Sequence, residues 1–276
     1  MPSLIIHGGA GRLEGGGVSP DQSEQALAAI YASAWERLLA EGARAAVVEA
    51  VRLLEDDELF NAGTGSKLQR DGQARLSAAL MDGRAGRFAG VINIRAVRNP
   101  ILVAARLLEE DHRVLAGEEA LAWARQQGFA PYDPVTPRRL TEYRQKLESS
   151  SGTVGAVAVD AAGYLCAATS TGGTGFEIPG RVSDSATVAG TYAAPEAGVS
   201  CTGIGEQIVS LAVAARVVIR VRDGLSLREA VARTVAEGNA LGHHFGLIAL
   251  DRHGQAVVGE TVGTRVLWRD GNTPSS

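Results

Sequence analysis

The sequence predicts a mixed α/β fold in which helices alternate with short buried strands. Two observations indicate this fold class. Apolar residues recur at helical spacing in several segments, and runs of small apolar residues such as residues 154–160 are bounded by turn residues. The chain of 276 residues is 45% hydrophobic, which is enough for one large core or two small ones.

The first 54 residues are predicted to form one strand and two helices. Residues 3–7 are an apolar strand that enters a glycine-rich turn at residues 8–11. Glycines let a backbone approach a phosphate closely, but the G-x-G-x-x-G spacing is absent, so a structural turn is the favoured interpretation. Ser19-Pro20 begins a helix that ends at Gly42, and residues 45–54 repeat the helical pattern.

The next segment continues the alternation. The acidic run at residues 55–58 predicts a solvated helix end and surface loop, because the spaced acidic pattern of a calcium loop is absent. Residues 74–81 and 88–97 predict a strand pair. Helices are predicted after Asn99 and over residues 117–127.

Residues 131–151 lack periodicity and are rich in proline, charged residues and serine, which predicts a linker. The linker ends at the Gly152–Thr153 junction, immediately before an apolar strand. Threonine is a poor nucleophile unless a base activates it, and its own α-amino group is such a base once the preceding bond is cut. The junction therefore indicates a precursor that is cleaved before Thr153. The alternative is an ordinary buried strand whose hydroxyls bond a backbone carbonyl.

The remaining residues predict a hairpin over 154–160 and 164–169, strands over 188–193 and 198–201, helices over 207–221 and 226–241, and three short final strands. Two loops in this half carry polar groups. Arg181 and Asp184 either form a surface ion pair or bind the carboxylate and ammonium groups of an amino acid. Residues 202–206 place a hydroxyl beside the amides of a helix start, which suits an oxyanion site; a plain helix cap is the alternative.

Composition and motif spacing argue against several classes of function. The formal net charge of −4 gives no electrostatic reason to bind nucleic acid or an anionic membrane. The histidines form no zinc motif, and the G-x-S-x-G elbow and the P-loop are absent. Cys166 and Cys201 lie in apolar strands, where reduced core cysteines are typical. Since neither a membrane-length apolar run nor a signal peptide is visible, we expect a cytoplasmic protein.

Several stretches resemble the plant-type L-asparaginases, which are also called isoaspartyl peptidases and belong to the N-terminal-nucleophile hydrolases. The stretches are His7-Gly8-Gly9-Ala10-Gly11, Leu59-Phe60-Asn61-Ala62-Gly63, Met81-Asp82-Gly83, Gly152-Thr153-Val154-Gly155-Ala156-Val157, Ser170-Thr171-Gly172-Gly173, Gly180-Arg181-Val182 with Asp184, and Thr202-Gly203-Ile204-Gly205-Glu206. Together they span roughly residues 4–260 in the order that the family shows.

The resemblance implies a four-layer αββα sandwich in one domain. The chain would cleave itself into an α subunit of residues 1–152, ending in the linker, and a β subunit of residues 153–276. Two such pairs would associate as (αβ)₂. The implied activity is that of a threonine amidohydrolase, which hydrolyses the side-chain amide of L-asparagine and β-aspartyl dipeptides through an acyl-enzyme and uses no catalytic cofactor.

The resemblance also implies the site residues. The catalytic set is Thr153, Thr171, Thr202, Gly203 and Asn61, and the substrate-binding set is Arg181, Asp184, Thr202, Gly203 and Gly205. Cleavage after Gly152 would free Thr153 as the nucleophile, with its α-amine as base and Thr171 orienting its hydroxyl. Asn61 would sit beside the nucleophile.

The other implied roles concern charge. Thr202 and Gly203 would form the oxyanion hole, Arg181 would bind the substrate α-carboxylate, and Asp184 would bind its α-ammonium. A structural sodium ion is also implied. Its ligands would be backbone carbonyls of Leu54, Glu55, Asp57, Phe60, Ala62 and Thr64.

Some positions depart from the family's pattern and leave the substrate choice open. Ser183 replaces a usual glycine, and residues 75–78, 174–177, 242–246 and 259–262 also differ. Two alternatives therefore stay beside the leading hypothesis. One is a glycosylasparaginase-like hydrolase, and the other is a family member that neither cleaves itself nor catalyses a reaction.

Overall fold

The structure is a computed structural model that describes residues 1–10, 20–145 and 152–271. Two β-sheets lie face to face, and helices pack on the outer side of each sheet. This four-layer αββα order confirms the predicted fold class.

The larger sheet consists of β1 Ser3–Ala10, β2 Leu76–Asp82, β3 Arg87–Ile94, β4 Val114–Ala116, β5 Val154–Val159, β6 Leu165–Thr171 and β11 Val266–Asp270. Its strand order is β11-β1-β5-β6-β2-β3-β4, antiparallel except for the parallel pair β3 and β4. The smaller sheet consists of β7 Thr191–Ala193, β8 Ala197–Gly203, β9 Phe245–Asp251 and β10 Ala256–Glu260. It is antiparallel in the order β10-β9-β8-β7.

The helices are α1 Pro20–Glu41, α2 Ala43–Asp56, α3 Pro100–Leu107, α4 Gly117–Gln126, α5 Pro137–Gln145, α6 Gly205–Leu211, α7 Val213–Arg222 and α8 Leu227–Ala240. Helices α1 to α4 pack on the larger sheet, and α7 and α8 pack on the smaller one. Three apolar layers result: one beneath each set of helices and one between the sheets.

Strand β5 shows how the sequence places the site. Ala156 and Ala158 belong to the core beneath the first helices, whereas Val157 and Val159 belong to the core between the sheets. Because side chains alternate along a strand, Thr153 and Gly155 face the layer between the sheets, like Val157. Both faces are buried, which explains why the strand is apolar throughout.

The structure differs from the expected linker over residues 137–145, where α5 forms. Arg139 is the one buried residue of this helix, and its Nε donates to the Gly65 carbonyl at 2.5 Å. Tyr143 stacks on Phe176 with ring centroids 5.5 Å apart, and its hydroxyl donates to the Arg70 carbonyl. Polar contacts and one aromatic pair, rather than an apolar stripe, hold α5, so periodicity did not predict it. Residues 146–151 lie outside the described residues.

Three other expectations were wrong in part. Glu55 was predicted to lie in a solvated run, but it is fully buried and its Oε1 accepts a hydrogen bond from Ile101 N at 3.0 Å. The helix predicted over 207–221 is divided at Ala212, whose φ is +49°, into α6 and α7. The first strand continues through the glycines to Ala10, with a register shift between His7 and Gly9.

Cys166 and Cys201 are free and buried, as the sequence predicts. Over the described ranges, every helix is too short or too polar to cross a bilayer.

Candidate active site

Two threonine hydroxyls meet at the adjacent ends of β5 and β6. The antiparallel pairing of Val154 with Ser170 places Thr153 beside Thr171, and the Thr153 Oγ1 donates to the Thr171 Oγ1 at 3.0 Å. Thr171 Oγ1 also accepts a hydrogen bond from Gly173 N at 3.1 Å. A hydroxyl that donates its proton keeps its own lone pairs available, so this geometry leaves the Thr153 oxygen able to act as a nucleophile.

The Gly152–Thr153 junction lies against the end of β1. A Cβ atom on Gly152 would come within 2.8 Å of Ala10 O, and one on Gly9 would come within 3.0 Å of the Gly152 carbonyl carbon. Gly9 has a φ of +117°, so both the close approach and the backbone conformation require glycine. The glycines are therefore structural, as expected, but they continue β1 instead of forming a turn, and what they accommodate is the junction, which the sequence did not indicate.

Thr202 is the penultimate residue of β8 and lies on the other side of this junction. Its Oγ1 accepts a hydrogen bond from Ala10 N at 3.0 Å and lies 3.1 Å from the position of a Cβ on Gly152. The next residue, Gly203, has a φ of +134°, and a Cβ there would come within 2.7 Å of His244 O. The structure thus brings Thr153, Gly152 and Thr202 to one place, although 49 residues separate the two threonines.

Arg181 and Asp184 converge on Gly205 at the start of α6. A Cβ on Gly205 would lie 2.7 Å from Arg181 Nη2 and 2.9 Å from Asp184 Oδ1. Asp184 is only 2% exposed, so the interpretation of the two as a surface ion pair is wrong. A cation and an anion beside the same backbone position can instead bind the carboxylate and the ammonium of one amino acid.

The two charged groups have different environments. Arg181 Nε and Nη2 each donate to Glu206 at 2.7 Å, which leaves other guanidinium donors for a ligand. Burial raises the pKa of Asp184 to about 7, although Arg181 opposes the shift. Within the described residues, Asp184 Oδ2 and the neighbouring Ser183 Oγ have no hydrogen-bond partner. A bound ammonium would supply the missing charge and donors at Asp184.

Asn61 supports the site through a turn. Its side-chain Nδ2 donates to Gly173 O at 2.6 Å, and its side-chain Oδ1 accepts from Lys67 N at 2.9 Å. Its main-chain carbonyl oxygen accepts from Gly172 N. Because Gly173 N in turn donates to Thr171, these bonds tie Asn61 to the hydroxyl that Thr153 contacts.

The loop after α2 carries the backbone carbonyls that the resemblance assigns to a sodium ion, and two of them, Glu55 O and Asp57 O, accept hydrogen bonds from Thr64 N and Phe60 N. Its carbonyls follow the C-terminal end of α2, which carries the negative end of the helix dipole. A Cβ on Gly65 would lie 2.7 Å from Glu58 O and 3.1 Å from Phe60 O, so carbonyl oxygens converge at this glycine. Oxygen donors are the ligands that hard cations prefer. The predicted carbonyls of Leu54, Glu55, Asp57, Phe60, Ala62 and Thr64 all belong to this helix end and loop.

One buried residue near Thr153 was missed by the sequence analysis. His7 is fully buried, and its Nε2 lies 2.9 Å from Ser200 Oγ. Burial lowers the pKa of His7 to about 3, an effect only partly opposed by the Thr153 backbone. The ring is therefore neutral near pH 7. No sequence signal indicates the contact between His7 and Ser200, because the two residues are 193 positions apart.

Comparison with known proteins gives one consistent result. The family model described as "Asparaginase" matches residues 1–270. The chain belongs to the asparaginase family. An isoaspartyl peptidase/L-asparaginase of Synechocystis is 44% identical, over 94% of this chain and 85% of its own length. A plant-type L-asparaginase of Pyrococcus abyssi is 39% identical, over 89% and 87% respectively, and an isoaspartyl peptidase of Escherichia coli is 39% identical, over 99% and 94%.

Two of the departures of this asparaginase-family chain lie at the site. Ser183 is 7% exposed, and its Cβ would lie 3.3 Å from a Cβ on Gly205. His244 N donates to Gln207 Oε1 at 2.6 Å, and its carbonyl accepts from Ile204 N. The unusual segment 242–246 thus packs against the start of α6 and the residue that follows Gly203.

Proposed function

We propose that this chain is a self-processing threonine amidohydrolase that converts L-asparagine and β-aspartyl dipeptides to L-aspartate. The main support is the position of the Thr153 hydroxyl, which donates to Thr171 Oγ1 at 3.0 Å. It lies at the junction with Gly152, and Thr202 lies next to that junction. The asparaginase-family match and the names of the relatives, isoaspartyl peptidase and L-asparaginase, support the choice of substrates.

Maturation comes first. The Thr153 Oγ1 adds to the Gly152 carbonyl carbon, its proton passes to the departing amide nitrogen, and the peptide bond becomes an ester. The Thr153 α-amine is free once the ester has formed, and water then hydrolyses the ester to give the Thr153 hydroxyl and the Gly152 carboxylate. Thr202 supports this step: because Ala10 N occupies one of its lone pairs, its own proton is available for the carbonyl oxygen as that oxygen gains negative charge.

Turnover uses the same hydroxyl with the freed amine as base. Arg181 binds the α-carboxylate of the substrate and Asp184 binds its α-ammonium, which presents the side-chain carbonyl carbon to Thr153. Thr202 and the Gly203 amide stabilise the oxyanion, and ammonia or an amino acid leaves with the proton taken from Thr153. Water then attacks the aspartyl ester, releases aspartate and restores the Thr153 hydroxyl.

Three further proposals accompany this function. A sodium ion held by the carbonyls of residues 54–64 would brace the loop that carries Asn61, and it would supply no group to the reaction. The cleaved pairs associate as (αβ)₂, which light scattering of the cleaved protein tests. The protein works in the cytoplasm, which fits its reduced, buried cysteines.

Intact-mass analysis tests the proposal directly. Purified wild type should yield two fragments, the smaller beginning at Thr153, whereas Thr153→Ala should remain a single chain. Thr141→Ala is the matched control, because this exposed threonine lies on α5 and should not affect cleavage. An uncut wild-type chain would instead support the non-catalytic alternative.

Substrate assays separate the remaining alternatives. The cleaved protein should release aspartate from asparagine and from a β-aspartyl dipeptide. Faster hydrolysis of N-acetylglucosaminyl-asparagine than of both would favour the glycosylasparaginase-like alternative and refute the proposed specificity.

A further inference from the structure

Two of the positions that depart from the family's pattern, Arg75 and Ser77, lie at the start of β2 and have no role in the proposed reaction. Arg75 Nη2 and Nη1 donate to the two carboxylate oxygens of Asp71 at 2.7 and 3.0 Å. Ser77 is buried and pairs with Thr171 of β6. The start of β2 therefore lies directly beside the strand end that carries the hydroxyl contacted by Thr153.

A β-bulge opposite Ser77 directs one side chain towards the substrate loop. Where β2 pairs with β3, Ile92 and Asn93 together oppose Ser77, and Ser77 Oγ accepts a hydrogen bond from Asn93 N at 3.0 Å. Asn93 has a φ of +53°, a left-handed conformation that asparagine tolerates better than most residues. Bulges next to active sites commonly re-aim a side chain. In this bulge, Asn93 Nδ2 donates to Gly180 O at 2.8 Å.

Gln69 binds the other polar group of the Gly180 main chain. Gly180 N donates to Gln69 Oε1 at 3.0 Å, and the same oxygen accepts from Arg75 Nη1 at 2.8 Å. Gln69 is buried, and two accepted hydrogen bonds satisfy its amide oxygen. Because Asp71 holds the Arg75 guanidinium from the other side, the position of this oxygen is fixed. Side chains from two separate segments thus bind both the N–H and the carbonyl of Gly180.

The residues around Gly180 have little packing of their own. Ile178 and Val182 are exposed, and a Cβ on Gly180 would have no described atom within 4 Å. Gly180 and Val182 instead line an open cavity of about 450 Å³. Where few apolar contacts hold a segment, its hydrogen bonds decide how firmly it is held. The bonds to Gln69 and Asn93 therefore determine where the Gly180 main chain lies.

We propose that Asn93 and Gln69 are positioning residues, which hold the Gly180 main chain and so set where Arg181 meets the substrate α-carboxylate. Arg181 is the next residue along the chain, and its guanidinium is bound by Glu206. The Glu206 carboxylate is exposed, so this ion pair alone holds Arg181 weakly. The kinetic part of this inference rests on the proposed function, but the bracing of Gly180 does not.

Hydrogen exchange tests the bracing without any activity. In the Thr153→Ala protein, which should be a single uncleaved chain, mass spectrometry of overlapping peptides follows the Gly180 amide. Asn93→Gly keeps a residue that accepts a positive φ but removes the donor, and Gln69→Met keeps the side-chain length but removes the acceptor. Each should speed exchange at Gly180 by about 2–10-fold, the equivalent of one lost hydrogen bond. Unchanged exchange in both variants would overturn the proposal.

Steady-state kinetics of the cleaved protein test the positioning role. Asn93→Gly should raise KM for asparagine by about 2–10-fold. It should leave kcat within about 2-fold, because the α-carboxylate takes no part in the reaction and is bound equally in the ground and transition states. A β-aspartyl dipeptide presents the same α-carboxylate, so its KM should rise by the same factor. Gln69→Met should act like Asn93→Gly, whereas Gln69→Glu restores an acceptor and should return KM to near the wild-type value.

Ala96→Gly is the matched control for Asn93→Gly. Ala96 also has a φ of +53° and follows the same strand, but its contacts are made by its main-chain carbonyl, which accepts from Arg125 Nη2 and Tyr132 N. The glycine keeps that carbonyl. The variant should therefore leave Gly180 exchange and both KM values within about 2-fold of those of its parent protein.

The outcomes are separable. In an active enzyme, an unchanged KM in Asn93→Gly, or a lower kcat at unchanged KM, would refute the positioning role. A rise in KM for the dipeptide alone would mean that these residues act on the leaving group, which also overturns the proposal. An inactive wild type would refute the proposed function, and exchange at Gly180 would then decide whether the bracing exists. If Gln69→Met does not fold, Asn93→Gly gives the same tests.

Discussion

Replacing Asp184 by asparagine should stabilise the protein at high pH while abolishing most of its activity. Asp184 is 2% exposed, and burial raises the pKa of its carboxyl from 3.8 to about 7. The carboxyl is therefore more easily ionised in the unfolded chain than in the folded one. Its contribution to stability is fully present below about pH 4 and is lost as the pH rises towards 7.

The size of the effect follows from the shift. A pKa that moves from 3.8 to about 7 corresponds to about 4 kcal/mol of stability lost by pH 8. The asparagine amide brings its own buried donors, and leaving one unsatisfied costs ~1–3 kcal/mol. We therefore expect Asp184→Asn to raise the free energy of unfolding by about 1–3 kcal/mol at pH 8 and to lower or barely change it near pH 4.

Denaturant unfolding at pH 4.5 and pH 8 measures this difference. Asp184→Asn and the protein with Asp184 intact should both carry Thr153→Ala, so that a single uncleaved chain unfolds in each case. Asp71→Asn is the control of opposite sign, because Arg75 holds the pKa of Asp71 below its usual range and that contribution is lost as the pH falls. If Asp184→Asn changed the free energy of unfolding equally at both pH values, the claim that burial raises the pKa of Asp184 would be refuted.

Three more predictions concern the site and its support. Thr202→Val should prevent cleavage or slow it by about 10²–10³-fold, because it removes an oxyanion donor; a time course of intact mass measures this. Glu206→Gln should raise KM for asparagine by about 2–5-fold with little change in kcat, because the exposed carboxylate only holds Arg181 in place. Gly155→Ala should lower stability by ~1–3 kcal/mol or more through contact with Ser200, seen as a fall in Tm.

Each has a control or a contrary outcome. Normal cleavage in Thr202→Val would remove Thr202 from the proposed oxyanion site. A lower KM in Glu206→Gln would mean that Glu206 competes with the substrate for Arg181 rather than positioning it. Gly163→Ala is the control for Gly155, since its turn has no atom within 4 Å of the new Cβ and its φ of +80° adds only local strain. Equal losses of Tm in the two variants would refute the steric argument.

The helices and strands that the sequence predicted are those whose cause is local. Helix α1 follows from a start at Pro20, an apolar stripe and a glycine after its last residue, all within one segment. The hairpin of β5 and β6 likewise follows from two short apolar runs around Gly163. Helix α5 was missed because Arg139 and Tyr143 bond to backbone carbonyls of distant loops, which no periodicity records.

By itself, the sequence determined that Gly152–Thr153 is an unusual junction before a core strand and that Arg181 and Asp184 carry complementary charges. Residue type and spacing suffice for such statements, because they concern chemistry that is local to the chain. Only the tertiary structure decided that Glu55 and Asp184 are buried, that Gly9 lies against the junction, and that His7 reaches Ser200. Burial and contact depend on which sheet faces which, and that choice is made by the packing of the whole chain.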